Sequence, residues 1–127
     1  PTLEGHTIQG ESLKNILGIG APVIIHFWGT WCPVCRQEID NIDRVARRYP
    51  VLTIAVQSGS DAEIRQWMKE RGVEFPVLSD PSGRLAKRFD VNVYPTSFIY
   101  DSRGALRFTV TGYTTTLGLL ARLKLAE

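Results

Sequence analysis

A mixed α/β chain, with a central sheet and helices on both faces, is predicted by three features of the sequence. β-Branched apolar runs fill 23–28 and 51–56, apolar residues recur at helical spacing between and after them, and two late strand-like runs flank a tight turn. Helices between the early strands make crossovers, and the late pair adds an antiparallel hairpin to the same sheet.

Val23-Ile24-Ile25-His26-Phe27-Trp28 is apolar on both sides of its pleat except at His26, the pattern of a central strand. From Pro33 to about Tyr49, Ile39, Ile42, Val45, Ala46 and Tyr49 recur at helical spacing, with Arg36, Glu38, Asp40, Arg44, Arg47 and Arg48 on other faces, and Pro50 ends the helix. Val51 to Val56 reads as a second buried strand. Ser60-x-x-Glu63 is a capping-box pattern that opens a helix with Ile64, Trp67 and Met68 inward, and Gly72 closes it. Phe75 to Leu78 is strand-like. Arg84 to Phe89 is a brief helix with Leu85, Ala86 and Phe89 on one side. Ser97 to Tyr100 and Leu106 to Val110 flank the turn Asp101-Ser102-Arg103-Gly104 as a hairpin. A last helix from about Thr116 to Leu125 is expected to cover the sheet with Leu117, Leu120 and Ala121. Thr7-Ile8-Gln9 is expected as a short edge strand.

Composition bounds the function. The 127 residues, 43% of them hydrophobic, suit one domain over 1–127, large enough to bury roughly two-thirds of its unfolded surface without staples. With 15 basic and 13 acidic residues the net charge of +2 gives little long-range attraction for nucleic acid or anionic lipid, and the clusters Arg47-Arg48 and Lys87-Arg88 read as solvated faces. His6 carries no signal. No apolar stretch approaches the ~20 residues of a membrane span. The chain begins at Pro1 without Met, so removal of something upstream is expected, whether a signal peptide, a membrane anchor or a stretch cut away at an artificial boundary.

The only two cysteines are Cys32 and Cys35, two residues apart where the first strand runs into a helix. A cysteine at a first helical turn meets unpaired backbone N–H groups and the positive end of the helix dipole, which favour a sulfur anion. Cys32 is thus the candidate nucleophile. Pro33 suits the first turn, where no hydrogen bond from its nitrogen is needed, and leaves the N–H groups of Val34 and Cys35 free to point at sulfur. One turn on, Cys35 is the candidate resolving thiol, which breaks a mixed disulfide by attacking the Cys32 sulfur. A purely structural disulfide here would close too short a loop to contribute much stability.

The stretch Phe27-Trp28-Gly29-Thr30-Trp31-Cys32-Pro33-Val34-Cys35 resembles the active-site signature of the thioredoxin superfamily, and Val93-Tyr94-Pro95-Thr96 resembles that family's cis-proline segment. The resemblance implies a thioredoxin fold, a cis peptide bond between Tyr94 and Pro95, and a Tyr94 backbone that pairs with an extended substrate segment beside Cys32. It places Trp31 on the substrate surface, with Pro33 and Val34 shaping the site, and Trp28 and Trp67 in packing roles. The long interval from Cys35 to Pro95, filled by an extra strand and helix between about Ser58 and Ser79, is similar to the TlpA, ResA and cytochrome-c-maturation branch of extracytoplasmic thioredoxins. Cys32-Pro33-Val34-Cys35 itself resembles the suppressor-of-copper-sensitivity group.

In such proteins a buried carboxylate commonly occupies the strand position held here by His26, and takes or gives the proton of the resolving thiol. An imidazole could do the same, and a satisfied core histidine is the equal alternative. Glu38 lies where this branch has a glutamate. The reading favoured from the sequence is a solvated residue balanced by Arg36 or Arg44, with proton transfer as the alternative.

The resemblance implies protein thiol and disulfide substrates, a membrane electron donor of the DsbD/ScsB type, a monomer, no nucleic acid, and a periplasmic or otherwise extracytoplasmic location with membrane contact only through an upstream anchor. No cofactor beyond the Cys32–Cys35 disulfide is expected. No metal site is expected either, since only His6 and His26 could join the cysteines on zinc, although two thiolates can hold Cu(I) and copper handling is the alternative function. Thiol peroxidase chemistry is disfavoured, because the Pro-x-x-x-Thr-x-x-Cys pattern of peroxiredoxins has Ile25 and Gly29 in place of its Pro and Thr.

Overall fold

The computed structural model describes residues 2–127. Five strands form one sheet in the order β3-β2-β1-β4-β5. They are β1 (Val23–Trp28), β2 (Val51–Val56), β3 (Val77–Asp80), β4 (Thr96–Tyr100) and β5 (Leu106–Thr111). The helices are α1 (Pro33–Ala46), α2 (Asp61–Arg71), α3 (Arg84–Arg88) and α4 (Thr116–Leu125), with a 3-10 turn at Leu13–Asn15. β1 pairs in parallel with β2, setting His26 beside Thr53, and antiparallel with β4, setting His26 beside Ser97.

All six residues of β1 and of β2 are buried, as continuous apolar runs in central strands should be. Alternation sends Ile24 and Trp28 into a core with Ile39, Ile42 and Val45 of α1, Ile64 and Met68 of α2, and Leu119 and Leu123 of α4. Ile25 and Phe27 enter the opposite core with Ala86, Phe89 and Val91, where the Phe27, Phe89 and Phe98 rings lie 5.2–5.9 Å apart. Ser60 and Glu63 form the reciprocal capping box of α2, and Gly72 ends that helix in the left-handed region at φ 69°.

Several boundaries depart from the sequence expectation. α1 stops at Ala46 rather than Tyr49, because 47–49 close as a turn in which the Arg48 and Tyr49 N–H groups both reach Val45 O. β3 begins at Val77, two residues late: Phe75 is drawn into the core against Trp28, and Pro76 has no N–H to give a ladder. On α4 the buried residues are Leu119 and Leu123, joined by Ala126 just past its end, whereas Leu117 is 78% exposed and Ala121 faces outward. The helix keeps its expected bounds, with the Thr115 hydroxyl accepting from Gly118 N–H; of the expected Leu117, Leu120 and Ala121 only Leu120 packs against the core, and the deeply buried positions are Leu119 and Leu123, one turn apart. The segment 7–9 is no strand. It lies along the edge of β3, with Ile8 N–H donating to Val77 O at 2.7 Å and the Gln9 side chain bonded to Phe75 O and Val77 N–H. Trp67 is only partly buried, packed on Trp28 at 5.2 Å with the Arg71 guanidinium over its ring at 3.9 Å.

The buried Asp80 carboxylate accepts from the N–H groups of Leu85 and Ala86 at 3.1 and 3.0 Å, doing for α3 what its cap residue Gly83, which has no side chain, cannot. Asp80→Ala is therefore expected to lower stability by about 1–3 kcal/mol in urea denaturation, with Asp80→Asn recovering part of the loss.

Candidate active site

Because β1 is anchored on both faces, the chain leaving Trp28 arrives at α1 in a fixed direction. Cys32 is the N-cap of α1, with extended backbone, and Pro33 is the first helical residue. The Cys35 N–H donates to Cys32 Sγ at 3.2 Å, so the sulfur takes the place of the usual capping oxygen. Both cysteines are free thiols. Cys32 is 5% exposed and Cys35 1%, and Cys32 Sγ lies 3.7 Å from Tyr94 O. The Tyr94–Pro95 peptide bond is cis, and the segment on either side of it sits against the Cys pair.

Trp31 is 48% exposed, and its indole N–H is tied to Val56 O at 2.8 Å while its ring meets the Tyr94 ring edge-on at 5.2 Å. Ser58 joins the same anchor, accepting from Thr30 N–H and donating to Val56 O. The loop before Cys32 is thus clamped to the end of β2. Gly29 is required by this clamp, since a Cβ there would collide with the Trp31 ring. A peroxiredoxin threonine at this position has no room while Trp31 is so placed.

Beneath the cysteines the structure overturns the favoured reading of Glu38. Its carboxylate is 1% exposed and forms no salt bridge with Arg36 or Arg44. Glu38 Oε2 accepts from Thr114 N–H at 2.7 Å, and Oε1 lies 3.6 Å from His26 Nε2. His26 Nδ1 and Ser97 Oγ are 2.7 Å apart. His26 is thus placed against Glu38 and Ser97. Burial lowers the His26 pKa to about 3 and raises that of Glu38 to about 7, the Thr114 N–H opposing part of the latter. Burial and the hydrogen bond with Cys32 push the Cys35 thiol above its ordinary value, and negative charge on Cys32 and Glu38 adds to the rise.

Ser58, Ser97 and Thr114 were not singled out by sequence. Ser97 follows the cis-proline segment and Ser58 follows β2, but nothing local marks either as a partner of the site. Among the described residues no cluster of three or more His, Cys, Asp or Glu side chains could hold a metal ion, and no helix is long and apolar enough to cross a membrane.

Between pH 4.5 and 7 the native protein retains a Glu38 proton that the unfolded chain has lost, so this group makes stability fall as pH rises through that window. His26 acts in the opposite sense between pH 3 and 6.5, where the unfolded chain binds a proton the native state refuses. Glu38→Gln removes the first effect alone. Its stability relative to the parent is expected to improve by about 1–3 kcal/mol as pH is raised across the Glu38 window, measured by urea denaturation at each pH.

A profile described as the AhpC/TSA family matches residues 1–109. A thioredoxin-like protein of Haemophilus influenzae is 35% identical over 126 residues, covering 98% of this chain and 72% of that protein. The thiol-disulfide oxidoreductase ResA of Bacillus thuringiensis is 32% identical over 117 residues, covering 89% of this chain and 65% of that protein. The crystal structure of a pneumococcal exposed lipoprotein thioredoxin from Streptococcus pneumoniae superposes with a TM-score of 0.78 at 30% identity, covering 96% of this chain and 97% of that one. The five-stranded mixed sheet with its covering helices is the thioredoxin fold. The chain belongs to the AhpC/TSA family, as a thioredoxin-like thiol–disulfide oxidoreductase of the ResA type.

Proposed function

We propose that this protein reduces disulfides of protein partners outside the cytoplasm, with Cys32 attacking and Cys35 resolving. The observation that carries this reading is the Cys35 N–H donated to Cys32 Sγ at the N-terminus of α1, with Cys35 itself the more buried sulfur. A thiolate on Cys32 gains from that donor and from the helix dipole. It attacks one sulfur of a substrate disulfide, the S–S bond breaks, and the other substrate sulfur leaves as thiolate. Cys35 then gives its proton to the Glu38 carboxylate and attacks Cys32 Sγ. The mixed disulfide breaks, the second substrate sulfur leaves, and the electron pair of the dithiol has passed to the substrate as Cys32–Cys35 closes.

Charge supports this part for Glu38. It follows Cys35 by three residues on α1, and its negative charge opposes ionisation of Cys35, so each group favours a proton on the other. The exposed side chains Trp31, Val34 and Val93 offer an apolar surface beside Cys32 for a protein substrate, and the Tyr94 backbone offers a polar edge.

The reducing direction is supported by the residues between the cysteines, since neither Pro33 nor Val34 brings positive charge to Cys32. An extracytoplasmic location is supported by the exposed lipoprotein among the structural neighbours. Re-reduction by a membrane electron donor of the DsbD/ScsB type is part of the proposal and rests on the family resemblance alone.

Cys35→Ser is expected to accumulate mixed disulfides with partner proteins through Cys32, visible as reductant-sensitive bands, and Cys32→Ser to accumulate none. Equilibration with glutathione is expected to give a potential well below the roughly −120 mV of a strong oxidase. A value near that figure reverses the direction, and tight one-to-one Cu(I) binding by the reduced protein without disulfide exchange favours copper handling instead.

A further inference from the structure

His26 Nε2 and Glu38 Oε1 are both fully enclosed, and neither has a hydrogen-bond partner among the described residues; they face each other at 3.6 Å. An unpaired buried polar atom is costly, and a shift of a few tenths of an ångström makes this contact a hydrogen bond. Two bare lone pairs here would repel, and two hydrogens would collide. One proton must therefore lie between the atoms, and it has two possible owners.

If Glu38 is a carboxylic acid, its O–H donates to Nε2, the ring hydrogen is on Nδ1, and Nδ1–H donates to Ser97 Oγ. If Glu38 is a carboxylate, Nε2–H donates to Oε1, and Nδ1 accepts from the Ser97 hydroxyl. Ser97 serves both states because a hydroxyl can donate or accept, which neither a valine nor an alanine at this register position could do. The third arrangement, imidazolium with carboxylate, needs a charged ring inside the core, and burial disfavours it.

We propose that His26 is a positioning residue for Glu38, and that ionisation of Glu38 and the tautomer of His26 change together as one event with Ser97 reversing its hydrogen bond. The protons balance. The acid state holds Glu38 O–H, His26 Nδ1–H and Ser97 O–H, and the carboxylate state holds His26 Nε2–H and Ser97 O–H. In passing from acid to carboxylate the Glu38 hydrogen moves to Nε2, the Nδ1 hydrogen to Ser97 Oγ and the Ser97 hydrogen to solvent, so the group loses one proton; that this ionisation serves Cys35 rests on the function proposed above. His26 thereby supplies an N–H when Glu38 is charged and a lone pair when it is neutral, so the carboxyl can gain or lose a proton without leaving an orphaned atom in the core.

The groups around the pair are few. α1 contributes Cys35 and Cys32, β4 the Ser97 hydroxyl, the preceding loop Tyr94, and the segment before α4 the Thr114 N–H on Glu38 Oε2. Tyr113 is engaged by Asn41, and the salt bridges of the described basic residues run to Asp43, Asp101 and Glu127.

The test is the tautomer of His26, read from ring nitrogen shifts in the reduced, 15N-labelled protein between pH 4 and 10, with His6→Gln removing the other imidazole from the spectrum. A neutral ring that passes from Nδ1–H at low pH to Nε2–H at high pH in the parent, and keeps one tautomer at all pH values in Glu38→Gln, is the expected result. One tautomer throughout in the parent, conversion to imidazolium across the transition, or a surviving switch in Glu38→Gln each overturns the proposal. His26→Phe removes both the N–H offered to the carboxylate and the lone pair offered to the acid; because the charge-assisted bond is the stronger of the two, the Glu38 carboxyl 13C titration is expected to move upward by about one pH unit. An unmoved midpoint in a folded His26→Phe protein also overturns it. Loss of disulfide exchange activity in the parent would sink the functional reading while leaving the tautomer result intact, so the two failures are distinguishable.

Discussion

The reactive sulfur is held in place by the burial of β1 on both faces. A central strand locked between two cores cannot shift or tilt, so the chain that leaves Trp28 delivers Cys32 to the N-terminus of α1 in one geometry. The clamp of Trp31 and Ser58 onto Val56 O, the Cys35 N–H on Cys32 Sγ, and the approach of Tyr94 O all require that delivery. The same strand carries His26 toward α1, because alternation along β1 puts Ile24, His26 and Trp28 on one side of the sheet.

Two kinds of polar environment therefore meet at the start of α1. At the helix N-terminus the Cys35 N–H and the positive end of the helix dipole face Cys32 Sγ. Beneath it, a nearly dry core suppresses charge on imidazole, carboxyl and the second thiol alike. A thiol that resists ionisation needs a base close by, and a carboxyl held near neutrality suits that task, since it neither keeps its proton too firmly nor refuses one. The cost is stability above the Glu38 titration, a local loss of the kind that functional sites often carry.

Much of the fold was legible because local chemistry and burial agreed. The runs at 23–28 and 51–56, the Ser60–Glu63 capping box and the turn at 101–104 each specify a backbone with little help from elsewhere. Where a tertiary contact outweighed local preference, the expectation slipped. Phe75 was drawn out of the strand by Trp28, α4 turned Leu119 and Leu123 to the core in place of Leu117 and Ala121, and the 7–9 segment found its partners through one backbone bond and a glutamine side chain rather than as a ladder.

The sequence by itself determined the ordered cysteine pair, because the strand before it, Pro33 after it and the two-residue spacing are all local. Only the tertiary structure decided what surrounds that pair. Glu38 looks like a surface residue among arginines until β1 and the segment before α4 close over it, and His26 has no identifiable partner until α1 and β4 bring Glu38 and Ser97 to its two nitrogens. Residues 26, 38, 97 and 114 are far apart in the chain, and desolvation is a property of everything packed around a group. Their proton affinities therefore depend on the assembled core and not on any stretch of sequence.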